Sequence, residues 1–195
     1  MKRLNRPVVI ILLIAISFGI AFGFELAYGC AQNYIYPVKY YNIVEKYADE
    51  YNIPEYVILA IIDTESGFDP GATSSSGAQG LMQMLPKTFD WLTSSEHLDE
   101  NLSSLELYEP ETSIKYGTYY LRYLFDKFGN WDTVYAAYNG GEGNVARWLA
   151  DTRYSDGNGN LINIPDEEPR NYVKKVNKAV EYYKNTYYKN EEGIK

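Results

Sequence analysis

The sequence predicts an all-α protein with one small β-hairpin, preceded by an N-terminal transmembrane helix. Three observations carry this. Beyond residue 36, apolar residues recur at three- and four-residue spacing through most of the chain. No alternation of strand-like and helix-like segments supports a parallel sheet. Residues 7–24 carry no charge. As a helix at ~1.5 Å per residue this stretch spans about 27 Å, close to the thickness of a bilayer's hydrocarbon core.

Lys2, Arg3 and Arg6 precede the apolar stretch, so residues 1–6 read as a basic tail held on the cytoplasmic side. Residues 7–27 read as the membrane segment, 28–36 as a linker, and 37–190 as the folded domain. A cleaved signal peptide has a shorter apolar core, ~7–15 residues, and an Ala-x-Ala-like site. That pattern is absent at 25–31. An uncleaved single-pass anchor is therefore favoured over secretion after cleavage, with the domain on the extracytoplasmic side of the cell membrane. Cys30 is the only cysteine, so no internal disulfide is possible. Its context, Leu26-Ala-Tyr-Gly-Cys30, loosely resembles a bacterial lipoprotein site, but Tyr28 breaks the small-residue pattern.

The domain then reads in order. Residues 37–51 form a helix carrying Tyr40, Ile43, Val44 and Tyr47. Pro54 suits the first turn of the next helix, and Gly67 the position just past its end. Residues 68–77 are a Gly/Ser loop. Residues 78–85 read as a short helix, and Pro86 starts another through about Leu92. Residues 93–110 are a polar loop containing His97. Residues 111–128 form a long helix with Ile114, Leu121, Leu124 and Phe125, stopped by Gly129-Asn130. Short helices follow at 132–138 and 144–150, and 169–188 closes the domain. The exception is 154–164, where Gly157 and Gly159 suit a hairpin turn. Asp156 and Glu167 also fit the ends of a calcium loop, but Leu161 stands where glycine is required. The hairpin accounts for the same residues.

Net charge is −8; beyond residue 30 there are 15 basic and 25 acidic residues, or −10. Such a domain repels nucleic acid, which is excluded as a partner. One His and one Cys leave no zinc cluster and no Cys/His nucleophile pair. Neither metal nor cofactor is expected. The 21 tyrosines combine a flat apolar face with a hydroxyl, which suits sugar rings. Pairs such as Tyr182-Tyr183 and Tyr187-Tyr188 are simpler amphipathic helix positions.

Glu65 is the exceptional residue. Val57, Ile58 and Ile61 lie eight, seven and four residues before it, so this carboxylate continues an apolar stripe. Asp63 and Glu55 lie off the stripe and read as solvated. Desolvation favours the neutral acid, and the helix C-terminus pushes the same way. A carboxyl that keeps its proton near neutral pH suits general acid catalysis. The alternative is a structural ion pair, which also perturbs acids.

Four segments bear on that choice: Glu65-Ser-Gly-Phe-Asp-Pro70, Gly77-Ala-Gln-Gly-Leu-Met-Gln-Met-Leu-Pro86, Ala136-Ala-Tyr-Asn-Gly-Gly141 and Glu168-Pro-Arg-Asn-Tyr-Val-Lys174. In this order, across about 37–188, the chain resembles the lytic transglycosylases of the soluble-lytic-transglycosylase type. The resemblance implies a goose-lysozyme-like helical fold, peptidoglycan glycan strands as substrate and no cofactor. It makes Glu65 the sole acid/base and places Ser74 in a hydrogen bond to it. It puts Gly80, Met82, Gln83, Tyr138 and Asn139 along the sugar groove, supported by Glu168 and Tyr172. Two departures stand out. Met84-Leu85-Pro86 replaces the family's Ile-Met-Pro, so Leu85 alters a substrate contact. Glu168-Pro169-Arg170 replaces Glu-Thr-Arg, which a proline at a helix start tolerates. Gly77 and Gly80 read as places where backbone approaches a ligand.

Glycosidases ordinarily use two carboxylates. None is placed beside Glu65: Asp63 points off its face, Glu96, Asp99 and Glu100 lie in a loop, and Glu168 reads as structural. A lone carboxylate fits a substrate-assisted route to a 1,6-anhydromuramoyl product. The alternatives are a goose-type lysozyme and a non-catalytic wall-binding scaffold.

Overall fold

The computed structural model describes residues 5–94, 97–98 and 100–188. The chain divides into two compact units, Met1–Pro37 and Val38–Lys195. The first is a single helix, α1 (Arg6–Ile35). Its Pro7–Ala27 segment is long and apolar enough to cross a membrane. Ser17 donates its hydroxyl to the Leu13 carbonyl at 2.9 Å, so this polar group is satisfied within the helix. The helix runs on through 28–35, the stretch read from sequence as a linker. A lone Gly29 does not stop it, and Pro37 follows its end. Lys2 and Arg3 of the basic tail, and Glu96 and Asp99, lie outside the described residues.

The second unit contains α2 (Tyr41–Tyr51), α3 (Glu55–Ser66), α4 (Pro86–Thr93), a 3-10 helix (Ser104–Tyr108), α5 (Pro110–Phe128), α6 (Trp131–Gly140), α7 (Glu142–Leu149) and α8 (Glu167–Tyr187). At its centre is α3. All six residues from Val57 to Ile62 are buried, the pattern of a helix covered on every side. It packs against α2 and α8; α8 also packs against α6, and α5 against α2 and α6. Local chemistry sets the ends. Gly67 (φ 60°) and Gly129 (φ 69°) terminate α3 and α5 in the left-handed conformation. Pro86 and Pro110 open α4 and α5. The Asn130 side chain accepts from the Thr133 amide at 3.2 Å, and Ser103 with Glu106 forms a capping box.

Two segments differ from the sequence reading. Residues 78–85 are not a helix. Gly77, Gly80 and Gln83 adopt φ of 83°, 75° and 47°, which a right-handed helix excludes. Bridges Thr73–Gln79 and Gln79–Met84 hold the segment in tight turns instead. At 154–164 the hairpin is reduced to one antiparallel bridge, Ser155–Leu161. The Asp156 carboxylate closes that turn itself. It accepts from the Asn158 and Asn160 amides at 2.7 and 3.1 Å, and from Asn160 Nδ2 at 2.7 Å. The polar loop also contains the 3-10 helix, which the sequence reading did not separate.

Candidate active site

The last turn of α3 presents Glu65, and α8, packed on α3, brings Tyr172 to it. The Tyr172 hydroxyl donates to Glu65 Oε1 at 2.7 Å. Burial pushes the Glu65 carboxyl up to about 7, and the Tyr172 hydroxyl pulls the other way. Both Tyr172 and Tyr138 have phenols raised well above the ordinary value, first by burial and then by the Glu65 charge. They therefore remain protonated. Asp63, read from sequence as solvated, is half-buried, and its carboxyl is pushed up to about 6 by desolvation. It is the packing around α3, not the stripe alone, that takes water from this residue.

Three cavities share walls here, and Glu65 lines two of them. One of about 190 Å³ is lined by Glu65, Ser74, Ser76, Ala78, Gln83, Leu85, Tyr138, Asn139 and Glu168. One of about 210 Å³ shares Gln83, Leu85, Tyr138 and Asn139 with it and adds Thr88 and Tyr120. One of about 330 Å³ shares Glu65, Asn139 and Glu168 and adds Thr64, Asn171, Tyr172 and Lys175. The shared walls join them into one groove with Glu65 near its middle.

Eight of the ten residues singled out from sequence line this groove: Glu65, Ser74, Gln83, Leu85, Tyr138, Asn139, Glu168 and Tyr172. Leu85 is 43% exposed and gives the groove an apolar wall. Gln83 donates Nε2 to the Ala72 and Gly80 carbonyls at 3.0 and 2.9 Å, pinning the turns on which it sits. Tyr138 donates to the Met82 carbonyl at 2.8 Å, tying α6 to the same turns.

The other two have different parts. Met82 is fully buried, and a Cβ on Gly117 would fall 2.3 Å from its sulfur. Only its carbonyl serves the site, through Tyr138. A Cβ on Gly80 would fall 1.9 Å from the Leu107 carbonyl oxygen. The close approach at Gly80 is to the 3-10 helix rather than to a ligand. Gly77 has open space around it, and its φ of 83° is the reason for glycine there. Ser74 also departs from expectation. Its hydroxyl accepts from the Ala78 amide at 3.0 Å and pairs with Ser76 Oγ at 2.9 Å. Tyr172 makes the bond to Glu65 that was expected of Ser74.

Sequence reasoning missed Tyr120, Ser76, Thr88, Asn171 and Lys175. The α8 residues had a signal: Asn171, Tyr172 and Lys175 lie three, four and seven residues after Glu168, on one helix face. Tyr120 had none, because its placement depends on packing 5.5 Å from the Tyr138 ring.

Fold and groove together define a lysozyme-like helical domain. A family model for the transglycosylase SLT domain matches residues 42–160, and the chain belongs to that family. It is 35% identical over 152 residues to the soluble lytic murein transglycosylase of Escherichia coli (strain K12), covering 76% of this chain and 23% of that one. It is 34% identical over 173 residues to the membrane-bound lytic murein transglycosylase C of Edwardsiella ictaluri (strain 93-146), covering 75% and 46%. The crystal structure of the 70 kDa soluble lytic transglycosylase Slt70 from Escherichia coli is similar with a TM-score of 0.68 and 34% identity, over 77% of this chain and 25% of that one. The chain thus spans about a quarter of the soluble relative and under half of the membrane-bound one.

Proposed function

We propose that this protein is a membrane-anchored peptidoglycan lytic transglycosylase. It cleaves the β-1,4 bond between N-acetylmuramic acid and N-acetylglucosamine and leaves a 1,6-anhydromuramoyl end. The observation that carries the reading is a carboxyl raised to about 7 near the middle of a groove. Membership of the SLT family supports it.

Glu65 donates its proton to the glycosidic oxygen as the bond to the muramoyl anomeric carbon breaks. N-acetylglucosamine leaves as the free hydroxyl. The 2-acetamido oxygen of the muramoyl sugar stabilises the electron-poor carbon. Glu65, now ionised, takes the proton of the muramoyl 6-hydroxyl, whose oxygen attacks the anomeric carbon and displaces the acetamido oxygen. The acid is regenerated and no water is consumed. The Tyr172 hydroxyl, aimed at Oε1, stabilises Glu65 during its ionised interval. Gln83, Leu85, Tyr138 and Asn139 hold the sugars along the groove. Ser74, Gly80 and Met82 shape the turns that carry them. Glu168 is exposed and supports the wall that α8 contributes. The α1 helix supplies the anchor, and the kinship to a relative named membrane-bound supports that placement. The domain works on the extracytoplasmic side.

The test is digestion of purified peptidoglycan followed by mass spectrometry. The expected fragments are one water lighter than hydrolysis products. Reducing ends alone would make the protein a lysozyme, and binding without cleavage would make it a scaffold. Glu65→Gln is expected to bind strands while cleaving them at least ~100-fold more slowly. Undiminished cleavage by that variant would remove Glu65 from the chemistry.

A further inference from the structure

The groove is asymmetric in charge. Its 330 Å³ arm contains Lys175, and among the described residues no other cationic side chain lines any of the three joined cavities. Among the described residues, ion pairs engage Lys46, Lys115, Arg122, Lys127 and Arg153, each with a carboxylate. Lys175 is exposed and is in none of them. It is not paired with Glu65 either, whose proton affinity is set by burial and by the Tyr172 hydroxyl. A net charge of −8 repels an approaching anion. The arm beside Glu65 is the part of the groove with a cation to offset that repulsion. Glu168 sits seven residues earlier on the same face of α8. That is about 10 Å along the axis at ~1.5 Å per residue, so an anion is confined to the Lys175 end. Asn139 and Asn171 line the same arm, and a side-chain amide offers both donors and acceptors.

We propose that Lys175 is a specificity-determining residue: it receives a carboxylate carried by the glycan strand, and the groove thereby prefers strands with free carboxylates to strands in which they are amidated. This deepens the transglycosylase reading and rests on it for its kinetic consequence. Two groups share the required chemistry. One is the lactyl carboxylate of a muramoyl residue that has lost its peptide. The other is a carboxylate of the attached peptide.

The experiment uses the Glu65→Gln protein, expected to hold strands with little turnover, and titration calorimetry with three ligands. These are peptide-bearing strands, the same strands with their carboxylates amidated, and peptide-free strands. Amidation is expected to weaken binding about two- to fivefold, the range of an exposed ion pair, and less at high salt. Adding Lys175→Glu is expected to abolish or reverse that difference, and adding Lys175→Arg to retain it. Lys175-dependent binding of peptide-free strands assigns the lactyl source; Lys175 dependence confined to peptide-bearing strands assigns the peptide. In the otherwise native protein, Lys175→Glu should raise KM for carboxylate-bearing strands with kcat within about twofold. The position is exposed, so an unchanged thermal midpoint serves as the folding control. An equal preference in parent and Lys175→Glu proteins overturns the proposal. If the native protein turns over nothing while the calorimetric difference persists, the transglycosylase reading falls and the Lys175 assignment stands.

Discussion

Under the proposed function, Glu65 ties catalysis and stability to the same proton. Its carboxyl titrates near 7 in the folded protein against the usual 4.5. The native state therefore binds the extra proton between those values. Stability from this group is complete below about 4.5 and is lost as pH rises through about 7. Glu65→Gln removes that loss. The variant is expected to be as stable as the parent at pH 4 and more stable at pH 8, by about 1–3 kcal/mol, in denaturant melts at the two pH values. The proton donor is also lost as pH rises, so kcat/KM should fall through about 7. Tyr172→Phe removes the hydroxyl that favours the ionised form, and should move that falling limb to higher pH. An unmoved limb would mean that the hydroxyl does not bear on the titration. The desolvation of this carboxyl was legible in the sequence because Glu65 continues a stripe set by Val57, Ile58 and Ile61. Its partner in the Glu65 hydrogen bond was not. Ser74 lies nine residues away in sequence, but its hydroxyl is engaged with the Ala78 amide and Ser76. Tyr172 reaches Glu65 only through the packing of α8 on α3.

At the scale of elements, the helices were readable because caps and apolar spacing agree. Gly67 and Gly129 stop α3 and α5, and Pro86 and Pro110 start α4 and α5. The turns at 77–85 were not, because their apolar content fits a helix while their backbone angles do not. Three residues within seven positions are left-handed, and at Gly80 the backbone is pressed against Leu107 of the 3-10 helix and Ser113 of α5, contacts that local sequence does not encode. Gly80 is where this is most sharply felt. Gly80→Ala must relieve both a positive φ and the collision with the Leu107 carbonyl. It should cost about 2–4 kcal/mol. Gly67→Ala has the same sign of φ and nothing within 4 Å, so about 1–2 kcal/mol is expected. Chemical denaturation of the two variants compares them directly. Equal losses would mean that the Leu107 contact relaxes freely.

At the scale of the whole molecule, one unit is a single apolar helix and the other holds the groove. A chain beginning at Val38 is expected to remain in the soluble fraction and keep its thermal midpoint, while the full chain sediments with membranes. Membrane recovery of the shortened chain would place the attachment in the domain itself. The sequence reading ended the membrane segment at residue 27, where the apolar run stops, whereas α1 continues to Ile35.

The hydrogen bond from Tyr172 to Glu65 joins residues 107 positions apart, and α8 is the last helix described. Until it docks, Glu65 lacks both its partner and the wall that excludes water. In that state it is an ordinary glutamate, ionised at neutral pH and without a proton to give. Under the proposed function, activity is expected only once α8 has docked, so a chain truncated before α8 should leave glycan strands uncleaved.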